Sequence, residues 1–137
     1  MLRIKDIDHI VLRVRDLEPM IDFYCNVIGC SVEWRRPEIG LVHLRAGNAM
    51  IDLAAVDGPT GARGGPAPGL DGHNLDHVCL RLHDFEVDAV TKHLESHGVK
   101  LGKTSSRFGA EGRSVSIYLN DPEGNTVELK GAKQDGA

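Results

Sequence analysis

The sequence predicts an α+β fold made from two copies of one βαβββ unit. The first observation behind this is a long internal echo. Asp8-His9-Ile10-Val11-Leu12-Arg13-Val14-Arg15-Asp16-Leu17-Glu18 returns as Asp76-His77-Val78-Cys79-Leu80-Arg81-Leu82-His83-Asp84-Phe85-Glu86, with six of eleven positions identical. A shorter echo closes each copy, Ala49-Met50-Ile51-Asp52-Leu53 against Asn125-Thr126-Val127-Glu128-Leu129. Between the echoes, both copies pass from two-residue alternation to a helical stripe and back to alternation.

In the first copy, Ile10, Leu12 and Val14 alternate with His9, Val11 and Arg13, a strand with one apolar face. Asp16 is then placed to cap a helix whose stripe runs through Leu17, Met20, Ile21, Tyr24, Val27 and Ile28, with Gly29 as the stop. Strands follow over 31–36, 41–46 and 49–56, divided by Pro37-Glu38-Ile39-Gly40 and by Gly47-Asn48. From 57 to 73 the composition turns to Gly, Pro and Ala, which predicts an exposed linker. No Gly-Lys-Ser/Thr follows, so it is not a phosphate loop. The second copy predicts a strand over 76–82 and a helix capped by Asp84 and stopped by Gly98. Strands near 99–104, 113–119 and 125–130 complete it, the last two joined by the turn residues Asn120-Asp121-Pro122-Glu123-Gly124-Asn125. The segment 105–113, with Arg107, Gly109, Glu111, Gly112 and Arg113, reads as a loop, equally one that moves to cover a site or plain surface, and the tail from Gly131 as frayed.

At 137 residues the chain is expected to be a single domain, with module one at about 7–56, the linker at about 57–73 and module two at about 74–130. Each module is too small for a dependable core of its own, so the two share one or pair with another chain. A net charge of −4 gives no reason to expect nucleic acid or an anionic membrane as partner. No apolar run approaches a membrane span, and no signal-peptide core opens the sequence. Cys25, Cys30 and Cys79 are odd in number and lack CxxC spacing, which fits a reducing, cytoplasmic setting better than a disulfide framework. Sheet edges left to cover predict a homodimer.

The chemistry lies in what recurs. His9 and His77 sit opposite the aliphatic residues of their strands; so do Asp52 and Glu128. One strand histidine is ordinarily just solvated. A histidine opening both copies and a carboxylate closing both points to a metal ion. Two imidazoles and two carboxylates suit zinc, nickel, cobalt, manganese or ferrous iron, with positions left for water or a small-molecule substrate. His43 alternates with Val42 and Leu44, which puts it on the same side as a candidate substrate contact. Arg13, Arg81, Ser116, Tyr118 and Arg113 are further substrate candidates, with structural pairing the plainer role for Arg13 and Arg81. His93 and His97 are spaced to hold zinc but read as a solvated helix end.

These residues resemble the vicinal-oxygen-chelate superfamily, the glyoxalase I, bleomycin-resistance and extradiol-dioxygenase group. The likeness runs from Ile7 to Lys130. It is carried by Asp8 to Val14, by Asp22-Phe23-Tyr24 with Val27-Ile28-Gly29, and by Tyr118 to Leu129. The resemblance implies paired βαβββ modules with curled mixed sheets around a metal-centred cavity. The glyoxalase I pattern of His, Glu, His, Glu falls on His9, Asp52, His77 and Glu128. It implies a lyase or isomerase whose divalent ion holds two neighbouring substrate oxygens, while a carboxylate, Glu128 or Asp52, moves a proton between adjacent carbons. Asp52 departs from the pattern, shorter than glutamate by one methylene, about 1.5 Å. That leaves it as fourth ligand or as base. Glu111-Gly112-Arg113-Ser114 with Tyr118 resembles fosfomycin-resistance proteins, which open an epoxide. Acyl-CoA epimerase and extradiol dioxygenase are the other enzyme alternatives. A bleomycin-sequestering protein is the non-enzyme alternative, which would need no strand-borne ligands.

Overall fold

The computed structural model describes residues 1–133. It is α+β, with two four-stranded mixed sheets and few helices. The chain divides into two compact units, Met1–Asn74 and the segment from Leu75 onward.

In the first unit, β1 (His9–Val14) leads into α1 (Leu17–Asp22), which widens into a π-helical turn over Phe23–Ile28. Gly29 ends it at φ 103°, a left-handed conformation that glycine adopts without a Cβ penalty. The apolar stripe predicted one helix here; the π widening leaves no mark on that stripe. β2 (Ser31–Arg36), β3 (Leu41–Ala46) and β4 (Ala49–Ala55) follow, in sheet order β1-β4-β3-β2, with β1 parallel to β4. α1 packs on β4. The alternation in β1 does what it predicts: Leu12 and Val14 are fully buried, while Val11 keeps 45% of its surface. Met20, Tyr24, Leu44 and Leu53 complete the buried centre of this unit.

The predicted linker is largely exposed, as expected, but it is not loose. Gly61–Gly64 form a turn of 3₁₀ helix with Gly61 buried, and the segment is fastened to β1. The Arg13 guanidinium donates to the carbonyls of Gly61 (2.8 Å), Gly64 (3.2 Å), Gly65 (2.6 Å) and Pro66 (3.1 Å). Asn74 closes the stretch, its side chain accepting from the Arg13 backbone N–H and donating to the Arg13 carbonyl. Backbone carbonyls in an irregular segment need partners, and one arginine supplies four of them.

In the second unit, β5 (Val78–Arg81) is shorter than predicted. α2 (Val87–Ser96) is capped by Glu86, whose carboxylate accepts from the backbone N–H groups of Asp88 and Ala89. The predicted cap Asp84 instead takes φ 50°, turning the chain before the helix begins. The longer glutamate side chain reaches the free N–H groups just as well from its later position. β6 (Leu101–Gly109) and β7 (Gly112–Asn120) form a hairpin turning at Ala110-Glu111, so 105–113 is ladder and not a loose loop. β8 (Thr126–Lys130) completes the order β5-β8-β7-β6, with β5 parallel to β8. The 120–125 turn forms as predicted, Asp121 Oδ1 accepting from Glu123 and Asn125 N–H. Gly131 is buried and accepts from the Ser114 hydroxyl, so the tail is anchored there; residues 134–137 lie outside the described residues. Leu94, Ile117 and Val127 are fully buried in this unit.

Candidate metal centre

Both copies hold their strand histidine in one way. In the first unit, Asp8 Oδ2 lies 2.7 Å from His9 Nδ1; in the second, Asp76 Oδ1 lies 2.6 Å from His77 Nδ1. A carboxylate accepts, so each Nδ1 carries the proton and each Nε2 presents its lone pair. This is how an outer carboxylate prepares an imidazole for a metal. Sequence reasoning missed Asp8 and Asp76, although the Asp-His dipeptide opens both copies of the echo. The Asp8 hydrogen bond, with a smaller contribution from the Asp52 charge, raises the His9 pKa against the opposing effect of burial.

The carboxylates are buried, Asp52 with 3% and Glu128 with 4% of its surface left. Both stand on central strands of their sheets, Asp52 beside β1, which carries His9, and Glu128 beside β5, which begins one residue after His77. In the second unit, His77 Nε2 lies 3.2 Å from Glu128 Oε1, and the other oxygen, Oε2, is buried without a hydrogen-bond partner. Burial alone would push the Glu128 pKa up. Hydrogen bonding from Ser116, the charges of His77 and Lys130, and hydrogen bonding from Tyr118 outweigh it, and the net shift is downward. Glu128 is therefore an ionised, buried acceptor. Tyr118 stands opposite Glu128 in the β7–β8 register, its ring edge-on to His77 at 5.4 Å. The Arg107 guanidinium covers that ring at 4.3 Å and donates to the carbonyl and hydroxyl of Ser116. Lys130 is buried, its ammonium donating to the Arg107 and Ser114 carbonyls. Cys79 faces Glu128 across β5–β8, and burial followed by the Glu128 charge pushes its thiol up to about 11, which makes it a poor nucleophile at neutral pH.

In the first unit, Asp52 meets His43, not His9: His43 Nδ1 lies 2.9 Å from Asp52 Oδ1. The two atoms are close enough for a hydrogen bond but out of line for one, and both are otherwise without a partner. Arg81 pairs with Glu111 at 2.8 Å, while Arg13 is held by backbone carbonyls. Arg113 is exposed on β7, opposite Phe108. Ser114 is structural, bonded to Gly131. His93 and His97 approach each other at 4.8 Å between ring centroids at the end of α2. Among the described residues, the His and acid groups form pairs; no three of His, Cys, Asp or Glu gather as a metal-holding group.

The donor set fits a cation. With Nδ1 of His77 turned to Asp76, its Nε2 faces Glu128 Oε1 at 3.2 Å. Such a contact is stable only with a positive species, a proton or a metal ion, beside it. The buried oxygen Glu128 Oε2 likewise lacks the partner that buried polar atoms require.

The scaffold is a repeated α+β one with a histidine–carboxylate contact in each unit, and comparison with known proteins places it in a family. The family model of the glyoxalase/bleomycin resistance protein/dioxygenase superfamily matches residues 6–129. The chain belongs to this superfamily. A glyoxalase domain-containing protein of Mycosarcoma maydis is 30% identical over 93% of this chain and 69% of its own length. An integron cassette protein from V. cholerae is 26% identical with a TM-score of 0.75, over 97% of this chain and 99% of that one. Lactoylglutathione lyase from Agrobacterium tumefaciens is 25% identical with a TM-score of 0.67, over 96% and 97%. Members of the superfamily are mostly metalloenzymes, usually with a divalent ion, and their reactions include those of glyoxalases, dioxygenases and epimerases. No helix among the described residues is long and apolar enough to cross a membrane.

Proposed function

We propose that this chain is a glyoxalase-like metalloenzyme that moves a proton between adjacent carbons of a small substrate bearing two neighbouring oxygens. The observation that carries the proposal is the Asp76–His77–Glu128 arrangement, in which an imidazole oriented by Asp76 lies 3.2 Å from a buried carboxylate whose pKa is held below its ordinary value. We assign His9, His77, Glu128 and Asp52 as the ligand set, two residues from each repeat, with Glu128 and Asp52 as the proton-handling carboxylates. A divalent ion held there supplies Lewis acidity to the substrate's paired oxygens. The chain's own groups do the rest. Asp8 and Asp76 fix the two imidazoles. The Ser116 and Tyr118 hydroxyls keep Glu128 ionised and ready to accept a proton. Tyr118, braced by Arg107, forms a wall beside His77. In this reading the protein works as a homodimer.

Support for the reaction class comes from a relative named for glyoxalase chemistry, the Agrobacterium lyase, and from methylmalonyl-CoA epimerase of Bos taurus, 25% identical over 92% of this chain and 74% of its own length. Either name fits carboxylate-mediated proton transfer beside a carbonyl. The test is metal content and turnover together. The purified protein should carry a stoichiometric divalent ion, and His77→Ala and Glu128→Gln should each lose at least nine-tenths of it with the far-UV spectrum unchanged. Hemithioacetal isomerisation and acyl-CoA epimerisation should outrun fosfomycin opening and catechol cleavage. A protein that takes up no zinc, nickel, cobalt, manganese or iron, and that binds bleomycin unchanged, would sink the proposal in favour of sequestration.

A further inference from the structure

The two repeats treat their carboxylates differently. In the second, Glu128 has Tyr118 opposite it across β7–β8; in the first, the same register position opposite Asp52 is His43, across β3–β4. A hydroxyl-bearing side chain thus faces the long carboxylate and an imidazole faces the short one. His43 is itself held from behind. Trp34 stands opposite it across β2–β3 and stacks on it at 5.7 Å with the rings 23° apart, and the Arg36 guanidinium covers Trp34 at 4.3 Å. The side chains of His43 and Asp52 keep only 15% and 5% of their surface. A buried imidazole nitrogen and a buried carboxylate oxygen 2.9 Å apart cannot rest as two bare acceptors. A proton on His43 Nδ1 is the donor that this contact lacks.

We infer that His43 is the positioning residue of Asp52. Its Nδ1–H holds the aspartate through one oxygen, and the Trp34 stack fixes the imidazole that does the holding. The carboxylate that is one methylene short is thereby kept at a set height on the sheet face, its second oxygen left for the ion. His43 so acts through Asp52 and makes no contact with substrate. This inference rests on the metal reading above for its consequence, though not for the hydrogen bond itself.

Two measurements separate those parts. In metal-free protein with ring-15N histidine, above about pH 8 where imidazole is neutral, His43 should be in the Nδ1–H tautomer. Asp52→Asn should move it toward Nε2–H. Titration with Zn²⁺ should then give about a tenfold to hundredfold weaker affinity for His43→Leu, the usual range for loss of an outer partner. His43→Asn, whose amide can replace the Nδ1–H, should recover most of it. Trp34→Leu should fall between. An unchanged tautomer in Asp52→Asn, or wild-type Zn²⁺ affinity in His43→Leu, overturns the inference. If the wild-type chain takes up no Zn²⁺, the metal proposal fails, and the tautomer still decides whether His43 holds Asp52.

Discussion

At the scale of single residues, Glu128 is held between opposing forces. Its pKa is the outcome of burial pushing up against Ser116, His77, Lys130 and Tyr118 pulling down, and the pull prevails. A carboxylate whose folded pKa lies below its unfolded value stabilises the fold above the unfolded value, about 4.3, and that contribution disappears as pH falls through the folded value. Metal-free wild type should therefore lose urea resistance on acidification more steeply than Glu128→Gln, with the difference confined to the region below about pH 4.5. Equal acid limbs would mean that Glu128 is not held ionised by the fold. The aspartates ahead of His9 and His77 are the other lesson at this scale. They were on view in the echo, yet a residue beside a histidine carries no sign of whether it bonds the ring. The His43–Asp52 contact is likewise invisible in a linear reading, since it depends on which residues of β3 and β4 come into register.

At the scale of elements, two-residue alternation and turn chemistry made the strands legible: β2, β3 and β8 fall almost where the pattern puts them. What failed to show were features set by tertiary contact. The Gly/Pro-rich stretch reads as a linker because its composition is that of a loop, while its anchorage depends on Arg13, about fifty residues earlier in the chain. The same reasoning predicts its weak points. A Cβ on Gly61 would overlap the Ala55 backbone carbonyl, so Gly61→Ala should cost about 1–3 kcal/mol. Arg13→Ala, which removes charge-assisted bonds to four carbonyls at a part-exposed site, should cost about 1–2 kcal/mol. Chemical denaturation of both variants checks these values, and a neutral Arg13→Ala would show that the segment holds itself.

At the scale of the whole molecule, the superfamily match over 6–129 spans both repeats, and both repeats carry a histidine bonded to the aspartate before it. If both sets serve one ion, His9→Ala should empty the protein of metal as completely as His77→Ala, with one equivalent per chain in wild type. Retention of metal in His9→Ala alone would assign the ion to the second repeat by itself. Fold and family were readable from sequence because duplication writes the pattern twice; the reaction was not, because one scaffold supports several chemistries. The paired Asp-His dipeptides have a further consequence. Each half brings its own means of aiming its imidazole, so losing one aspartate would free one ring and leave the other held.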